Sequence, residues 1–332
     1  MPTYIIVRMT RVNLLFTGAG RRVELLKSFR AAYDALGLHG SILAVDVDPL
    51  APALRVADRF ELVPRSADEG YVSQLVSLCQ KYEIDAVFPL IDPDIPILAR
   101  AAAHFEAAGA RVATMGIESV EIVADKWATA LFLQKVDVPG PAAWLPADLP
   151  PVSSLVFPLF LKPRFGSAAK HTARVDDWDE LQILLKRTPD PLVQELLDGP
   201  EITCDLAYAL DGEFLGMCQR RRIEVRSGEV QKGVTVWDDE IAGLCLKIGG
   251  ALRARGPITI QCLFRDGLPL FTEINGRFGG GLPLAIAAGL DFPNWYLSLL
   301  AGRRPNTPPP GGYQLGLYIT RFDQSLFLTD IA

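Results

Sequence analysis

The stretch Glu273-Ile274-Asn275-Gly276-Arg277-Phe278-Gly279-Gly280-Gly281 sets an acid, an amide and a guanidinium at alternate positions ahead of a glycine run. Side chains alternate along a strand, so Glu273, Asn275 and Arg277 project from one face. Burying such a trio with nothing to bind would be costly. The stretch is therefore either a solvent-exposed strand end or a place where magnesium and phosphate oxygens meet protein oxygens.

The run before it, Ile258 to Phe264, carries Gln261, and the turn signal Asp266-Gly267 separates it from Pro269 to Ile274. In an antiparallel hairpin, directly opposed residues share a face and keep a constant sum of positions. Gln261 and Glu273 have an even sum, whereas a two-residue Asp266-Gly267 turn gives odd sums. A shared site therefore demands either an odd-length loop, such as Asp266 to Leu268, or a β-bulge.

Upstream, Ile202 to Leu210 and Phe214 to Gln219 flank the turn signal Asp211-Gly212, and an antiparallel sheet with flanking helices accounts for the region from Glu201 onward. Arg220, Arg221, Arg222, Arg226 and Lys232 follow, where a strand-like run leads into what reads as a long loop. They are either a solvated face or local cations that neutralise a triphosphate or an anionic substrate.

The middle of the chain reads as a small α+β unit: Phe157 to Lys162, Ala173 to Val175, a helix over Asp177 to Lys186, and Leu192 to Leu196. Within it, Lys162 ends a strand and leads into Pro163-Arg164-Phe165-Gly166-Ser167-Ala168-Ala169-Lys170. That loop is either an ordinary surface loop or a holder for polyphosphate, and its spacing is not that of a Walker A loop. A further helix is expected from about Lys126 to Gln134, ended by Val138-Pro139-Gly140-Pro141.

The first 113 residues alternate strand and helix patterns, implying a parallel sheet with helices on both faces. Gly18-Ala19-Gly20-Arg21-Arg22, with Asp46 and Asp48 after the next strand, raises a dinucleotide site. Val23 stands where the fingerprint needs its third glycine, so a turn near substrate is the preferred reading. Asp92 and Asp94 are either a helix cap or the receiver of a substrate ammonium group.

With 332 residues, more than one structural unit is expected. A net charge of −6 gives no broad attraction to nucleic acid or an anionic membrane. Cys79, Cys204, Cys218, Cys245 and Cys262 are too widely spaced for a disulfide framework or zinc-ligand pair and fit a reducing cytoplasm. No apolar run approaches the roughly 20 residues of a membrane helix. His39, His104 and His171 are too scattered for a metal site or a triad. Residues 1 to 9 read as a dispensable extension.

Taken in order, Asp125-Lys126, Phe160-Leu161-Lys162-Pro163, Gln194-Glu195-Leu196-Leu197-Asp198-Gly199-Pro200-Glu201, Gln261 and Glu273-Ile274-Asn275-Gly276-Arg277 resemble the ATP-grasp superfamily. The resemblance runs from about residue 11 to 305 and is nearest to stand-alone proteins similar to the large chain of carbamoyl-phosphate synthase. It implies an α/β and α+β architecture of three domains: a Rossmann-like pre-ATP-grasp domain over 1–113, linker helices and a small α+β lid over 114–193, and a central antiparallel-sheet domain with the tail over 194–332.

The resemblance also assigns roles. Lys126 and Lys162 would meet nucleotide phosphates, and beside the resemblance Gly166 and Ser167 of the loop after Lys162 and Lys232 of the basic cluster are candidates for the same contact. Gln194, Glu195 and Leu197 would form the hinge at adenine, and Glu201 would hold the ribose. Gln261, Glu273 and Asn275 would bind magnesium, for which manganese could substitute, while Arg277 would serve the transferred group; Arg222, from the basic cluster, is a further catalytic candidate on its charge. The implied reaction uses ATP to activate a small carboxylate as an acyl phosphate for attack by an amine or a thiol. No nucleic-acid or membrane partner is implied, and a homodimer is a candidate assembly. The lid loop departs from the family in having Ala168, Ala169, Lys170 and His171 where serine and glycine are common. Gln261 is neutral where many relatives have an acid. A nicotinamide-dependent oxidoreductase built on the first domain and a non-catalytic nucleotide-binding module stay open as alternatives.

Overall fold

The computed structural model describes residues 11–166, 170–226 and 228–329. Residues 1 to 9 and Ser167 lie outside them. By its contacts the chain divides into two compact units. One takes the residues up to Ala113, Asp291–Thr307 and those from Ser325 on; the other takes Thr114–Leu290 and Pro308–Gln324.

The first unit is built on a parallel sheet of β1 (Leu14–Thr17), β2 (Ile42–Asp46), β3 (Arg59–Leu62), β4 (Ala86–Pro89) and β5 (Arg111–Val112), in the order β3-β2-β1-β4-β5. Every residue of β1, β2 and β4 is buried, as strands covered on both faces must be. The helix Val23–Leu36 buries Leu25, Leu26, Phe29, Ala32 and Tyr33, and ends at Gly37 in the left-handed conformation. Phe16 stacks on Phe88, Phe29 meets Phe16 edge-on and lies tilted against Phe88, and Tyr296 meets Phe88 edge-on at 5.3 Å between centroids. Each fully buried aromatic of this kind contributes about 1.5–3 kcal/mol of apolar transfer. Tyr296 belongs to the helix Phe292–Leu300. Its packing places Asp291–Thr307 with the parallel sheet, whereas the sequence pattern grouped that segment with the central domain.

The second unit holds two antiparallel sheets. The smaller comprises β6 (Ala143–Trp144), β7 (Leu159–Pro163), β8 (Ala173–Val175) and β9 (Pro191–Glu195), ordered β6-β9-β7-β8. Leu159, Leu161, Val175 and Val193 pack with Leu181 of the helix Trp178–Leu185, whose start is capped by Asp177. Phe160 and Lys162 alternate with the core residues and face the other way.

The larger sheet is β14-β13-β10-β11-β12-β15, from β10 (Glu201–Tyr208), β11 (Phe214–Arg226), β12 (Glu229–Val236), β13 (Gly256–Arg265), β14 (Leu268–Asn275) and β15 (Tyr318–Thr320). Its two faces differ sharply. Ile202, Cys204, Leu206, Ile258, Ile260 and Cys262 form an apolar face, and the helix Asp239–Ala251 comes so close that a Cβ on Gly249 would stand 2.0 Å from the Tyr208 hydroxyl. Glu201, Thr203 and Asp205 on β10, Arg220 and Arg222 on β11, and Gln261 on β13 form the opposite, polar face, paired row by row. The basic segment expected to enter a long loop instead continues β11 and returns as β12. Opposed pairing such as Glu224 with Lys232 accounts for that extension.

Candidate nucleotide and substrate site

Helix capping sets one corner of the site. The carboxylate of Asp125 accepts from Trp127 N and pairs with Arg164 at 2.5 Å, fixing the start of the helix Lys126–Lys135 against the loop after β7. Lys126 Nζ then donates to the Gly166 carbonyl at 2.7 Å. Lys162, at the end of β7, is 7 % exposed and has no hydrogen-bond or ion-pair partner among the described residues. Burial pushes its pKa down to about 8, with Glu273 pulling it up and Lys126 pushing it further down. A buried ammonium with a carboxylate near enough to act on it but no hydrogen-bond or ion-pair partner among the described residues fits an anionic ligand.

A cavity of about 290 Å³ opens over this corner. The structure brings Lys126, Lys162, Gly166, Gln194, Leu197, Glu201, Gln261 and Glu273 into its wall. Glu195 stays outside that wall, because its carboxylate pairs with Arg265 and accepts from Ala142 N at 2.9 Å. Lys232 is also placed elsewhere, paired with Glu224 at 2.7 Å.

The hairpin resolves the parity problem. Asp266 and Gly267 both have positive φ and form a two-residue turn, so Arg265 faces Leu268 and Cys262 faces Phe271. A bulge at Thr272 of β14, between the Cys262–Phe271 and Gln261–Glu273 pairs, then shifts the register and sets Gln261 opposite Glu273, with Thr259 opposite Asn275. The odd-length loop does not occur; the bulge does the work. Among the described residues no hydrogen bond or ion pair engages the side chains of Gln261, Glu273 or Asn275. Three uncommitted oxygen-bearing side chains in one layer fit a magnesium ion that keeps most of its coordination for phosphate and water.

Arg222, Gln261, Asn275 and Arg277 meet around a second, smaller cavity of about 60 Å³, which shares Gln261 with the first. Glu201 and Arg222, opposed across β10 and β11, pair at 2.5 Å and so link the two cavities. Arg220 lines the smaller cavity too, while Arg221 is exposed and lines neither. Arg220 is buried in a bidentate pair with Asp205, at 2.5 and 3.1 Å. The glycine run lies directly on that pair. A Cβ on Gly279 would stand 2.3 Å from Asp205 Oδ1, and one on Gly281 would stand 2.4 Å from an Arg220 nitrogen.

Sequence reasoning passed over Thr203, Asp205, Thr259 and Thr272, and gave Phe160, though part of a quoted motif, no role of its own. Phe160 and Asp205 share faces with Lys162 and Glu201, and that alternation was the available signal. Nothing in the spacing marks Thr272 as the bulged residue.

In the first unit, Gly18 has positive φ, and a Cβ there would stand 2.5 Å from Ile91. Asp46 accepts from Gly20 N at 2.7 Å, and its other oxygen accepts from Asp48 N at 3.0 Å. These glycines make a packed turn. Asp94 is buried in the first turn of the helix Asp94–Arg100 and accepts from Thr17 Oγ1 at 2.6 Å and Tyr71 OH at 2.9 Å. Burial raises its pKa, and the hydroxyls oppose that rise.

Comparison with known proteins agrees with this architecture. Residues 14–113 match the family model of the PylC-like N-terminal domain, and residues 187–320 match that of an ATP-grasp domain in the biosynthetic pathway with Ter operon. No curated protein matches the sequence. Among solved structures, the biotin carboxylase domain of Hydrogenobacter thermophilus 2-oxoglutarate carboxylase, crystallised as a dimer with MgADP and bicarbonate, superposes with a TM-score of 0.71 at 16% identity, over 92% of this chain and 73% of that one. An L-amino acid ligase from Bacillus licheniformis gives 0.67 at 21% identity, over 87% and 74%. N5-carboxyaminoimidazole synthetase from Staphylococcus aureus, bound to ADP, gives 0.71 at 15% identity, over 92% and 80%. With the parallel sheet, the two antiparallel sheets and both family matches in that order, residues 187–320 match an ATP-grasp domain, residues 14–113 a PylC-like N-terminal domain, and the chain has the fold of ATP-grasp proteins.

Proposed function

We propose that this chain is a magnesium- and ATP-dependent ligase that activates a small carboxylate as an acyl phosphate and passes the acyl group to an amine or a thiol. The observation that carries the reading is the convergence on one cavity of a buried, partnerless Lys162 and the uncommitted layer of Gln261 and Glu273, continued by Asn275.

Lys126 and Lys162 bind and orient the polyphosphate, Glu201 accepts from the ribose, and Leu197 covers the base. Gln261, Glu273 and Asn275 would hold the metal, which supplies positive charge against the phosphate oxygens. Arg277 and Arg222 hold the carboxylate in line with the phosphorus and offset the charge that spreads over the transferring group. A carboxylate oxygen bonds to the phosphorus as the bond to ADP breaks. The nucleophile then bonds to the acyl carbon, inorganic phosphate leaves with the bonding pair, and the nucleophile loses its proton. In the first unit the glycine turn packs against Ile91 and both Asp46 oxygens already accept from backbone N–H groups, which favours the ATP reading over nicotinamide chemistry.

The test is an ADP-release screen over pairs of small carboxylates with amines or thiols, followed by the mass of the product. Release above background with one pair is expected, and Glu273→Ala should abolish it without lowering the melting temperature. ATP binding with no release for any pair would favour a non-catalytic nucleotide-binding module.

A further inference from the structure

Two polar atoms beneath the smaller cavity lack a partner among the described residues: Thr203 Oγ1 and Arg222 Nε, both closed to solvent. Thr203 is 1 % exposed and sits in the middle of the polar face, between Arg220 on β11 and Gln261 on β13. Arg220 is already committed to Asp205. Arg222 gives Nη1 to Glu201 and Nη2 to the Gly228 carbonyl, which leaves the Nε–H. A threonine O–H and an Arg Nε–H are both donors, and buried donors left unpaired are costly. The other charged side chains around this cavity are Arg220, Arg277 and the exposed Glu229, so the balance favours an anion. At about 60 Å³ the space suits a small head group and excludes a nucleotide.

Resting on the ligase reading, we propose that Thr203 is a substrate-contacting residue. Its hydroxyl and the Arg222 Nε–H seat one oxygen of the acyl substrate's carboxylate, and the Glu201–Arg222 ion pair covers that seat until a nucleotide ribose engages Glu201. Glu201 lines the nucleotide cavity and Arg222 the smaller one, so a ligand that takes up the Glu201 oxygens competes with Arg222 for them. Arg222 is then free to turn its Nε–H, and Thr203 beneath it, toward the smaller cavity. Linkage makes this reciprocal: nucleotide tightens carboxylate, and carboxylate tightens nucleotide by the same factor.

The experiment uses the full chain and acetate as the probe, followed by ligand-observed NMR titration with and without MgADP. MgADP is expected to tighten acetate by about tenfold or more. Thr203→Val, which keeps a β-branched residue in the strand, should weaken acetate about ten- to a hundredfold, the worth of a hydrogen bond to a charged group. Thr203→Ser should restore it, and MgADP alone should bind all three proteins equally. The proposal is overturned by any of three results: no acetate binding to the wild type, acetate affinity independent of MgADP, or acetate and MgADP weakened equally by Thr203→Val. Inorganic phosphate binding where acetate does not would also overturn it and assign the seat to the transferred group. Because acetate binding is read without turnover, a failed ADP-release screen with an intact acetate response would sink the ligase reading alone.

Discussion

The ammonium of Lys162 is held between burial, which pushes its pKa down to about 8 from 10.5, and the Glu273 carboxylate, which pulls it up. Between those two values the unfolded chain carries a proton that the folded chain has lost. This group therefore penalises the folded state below about pH 8 and is relieved as pH rises toward 10.5. A bound polyphosphate reverses the preference by favouring the ammonium form. Nucleotide binding should consequently take up a proton at pH 9 and almost none at pH 7, and affinity should fall above pH 8. Calorimetry in two buffers of different ionisation enthalpy measures both effects. Lys162→Met should weaken binding at pH 7 by roughly ten- to a hundredfold and abolish the proton uptake. Equal proton uptake by the variant would show that another group titrates.

At the scale of elements, the six-stranded sheet separates core from chemistry by alternation alone. That rule makes Glu273, Asn275 and Gln261 readable as a set from the sequence, and it limits the hairpin to an odd loop or a bulge. It could not choose between the two, because turn length and bulge position depend on how β13 packs against β10. Asp205 and Arg220 were hidden for a different reason. A buried ion pair across two strands looks, in sequence, like one acid and part of a charge run. The glycine run resting on that pair yields a second prediction. Gly279→Ala puts a methyl group where Asp205 and Arg220, both buried, have little room to move. Overpacking of about 1–3 kcal/mol should lower the melting temperature by several degrees. An unchanged melting temperature would mean that the loop lifts off the pair.

For the molecule as a whole, the parallel sheet and the antiparallel sheets belong to different compact units, and both proposed cavities lie within the second. Hydrogen exchange can therefore separate the competing readings of the chain. MgATP should protect amides around Lys162, Leu197 and β14, and leave Gly18 to Gly20 unchanged. NAD should protect neither region. Protection of Gly18 to Gly20 by NAD would revive the dinucleotide reading. The division into an early parallel sheet and later antiparallel sheets was legible because hydrophobic runs, turns and helical stripes each follow local rules. The return of Asp291–Thr307 to the first unit was not legible, since Tyr296 meets Phe88 only through a long-range contact that no local pattern announces.

The bulge in β14 has one more consequence, for how the hairpin tolerates changes in its own length. A regular strand shows a cavity only every second residue, yet here Thr272 and Glu273, neighbours in the chain, both reach the same one. The extra residue is slack. Deleting Thr272 would let the ladder close up with the glutamate still across from Gln261, so the deletion variant should fold and keep its MgATP-induced melting shift. Inserting an alanine after Thr272 would turn the glutamate into the apolar face and should abolish both. A hairpin that can be shortened by one residue but not lengthened by one has a built-in direction for insertions and deletions.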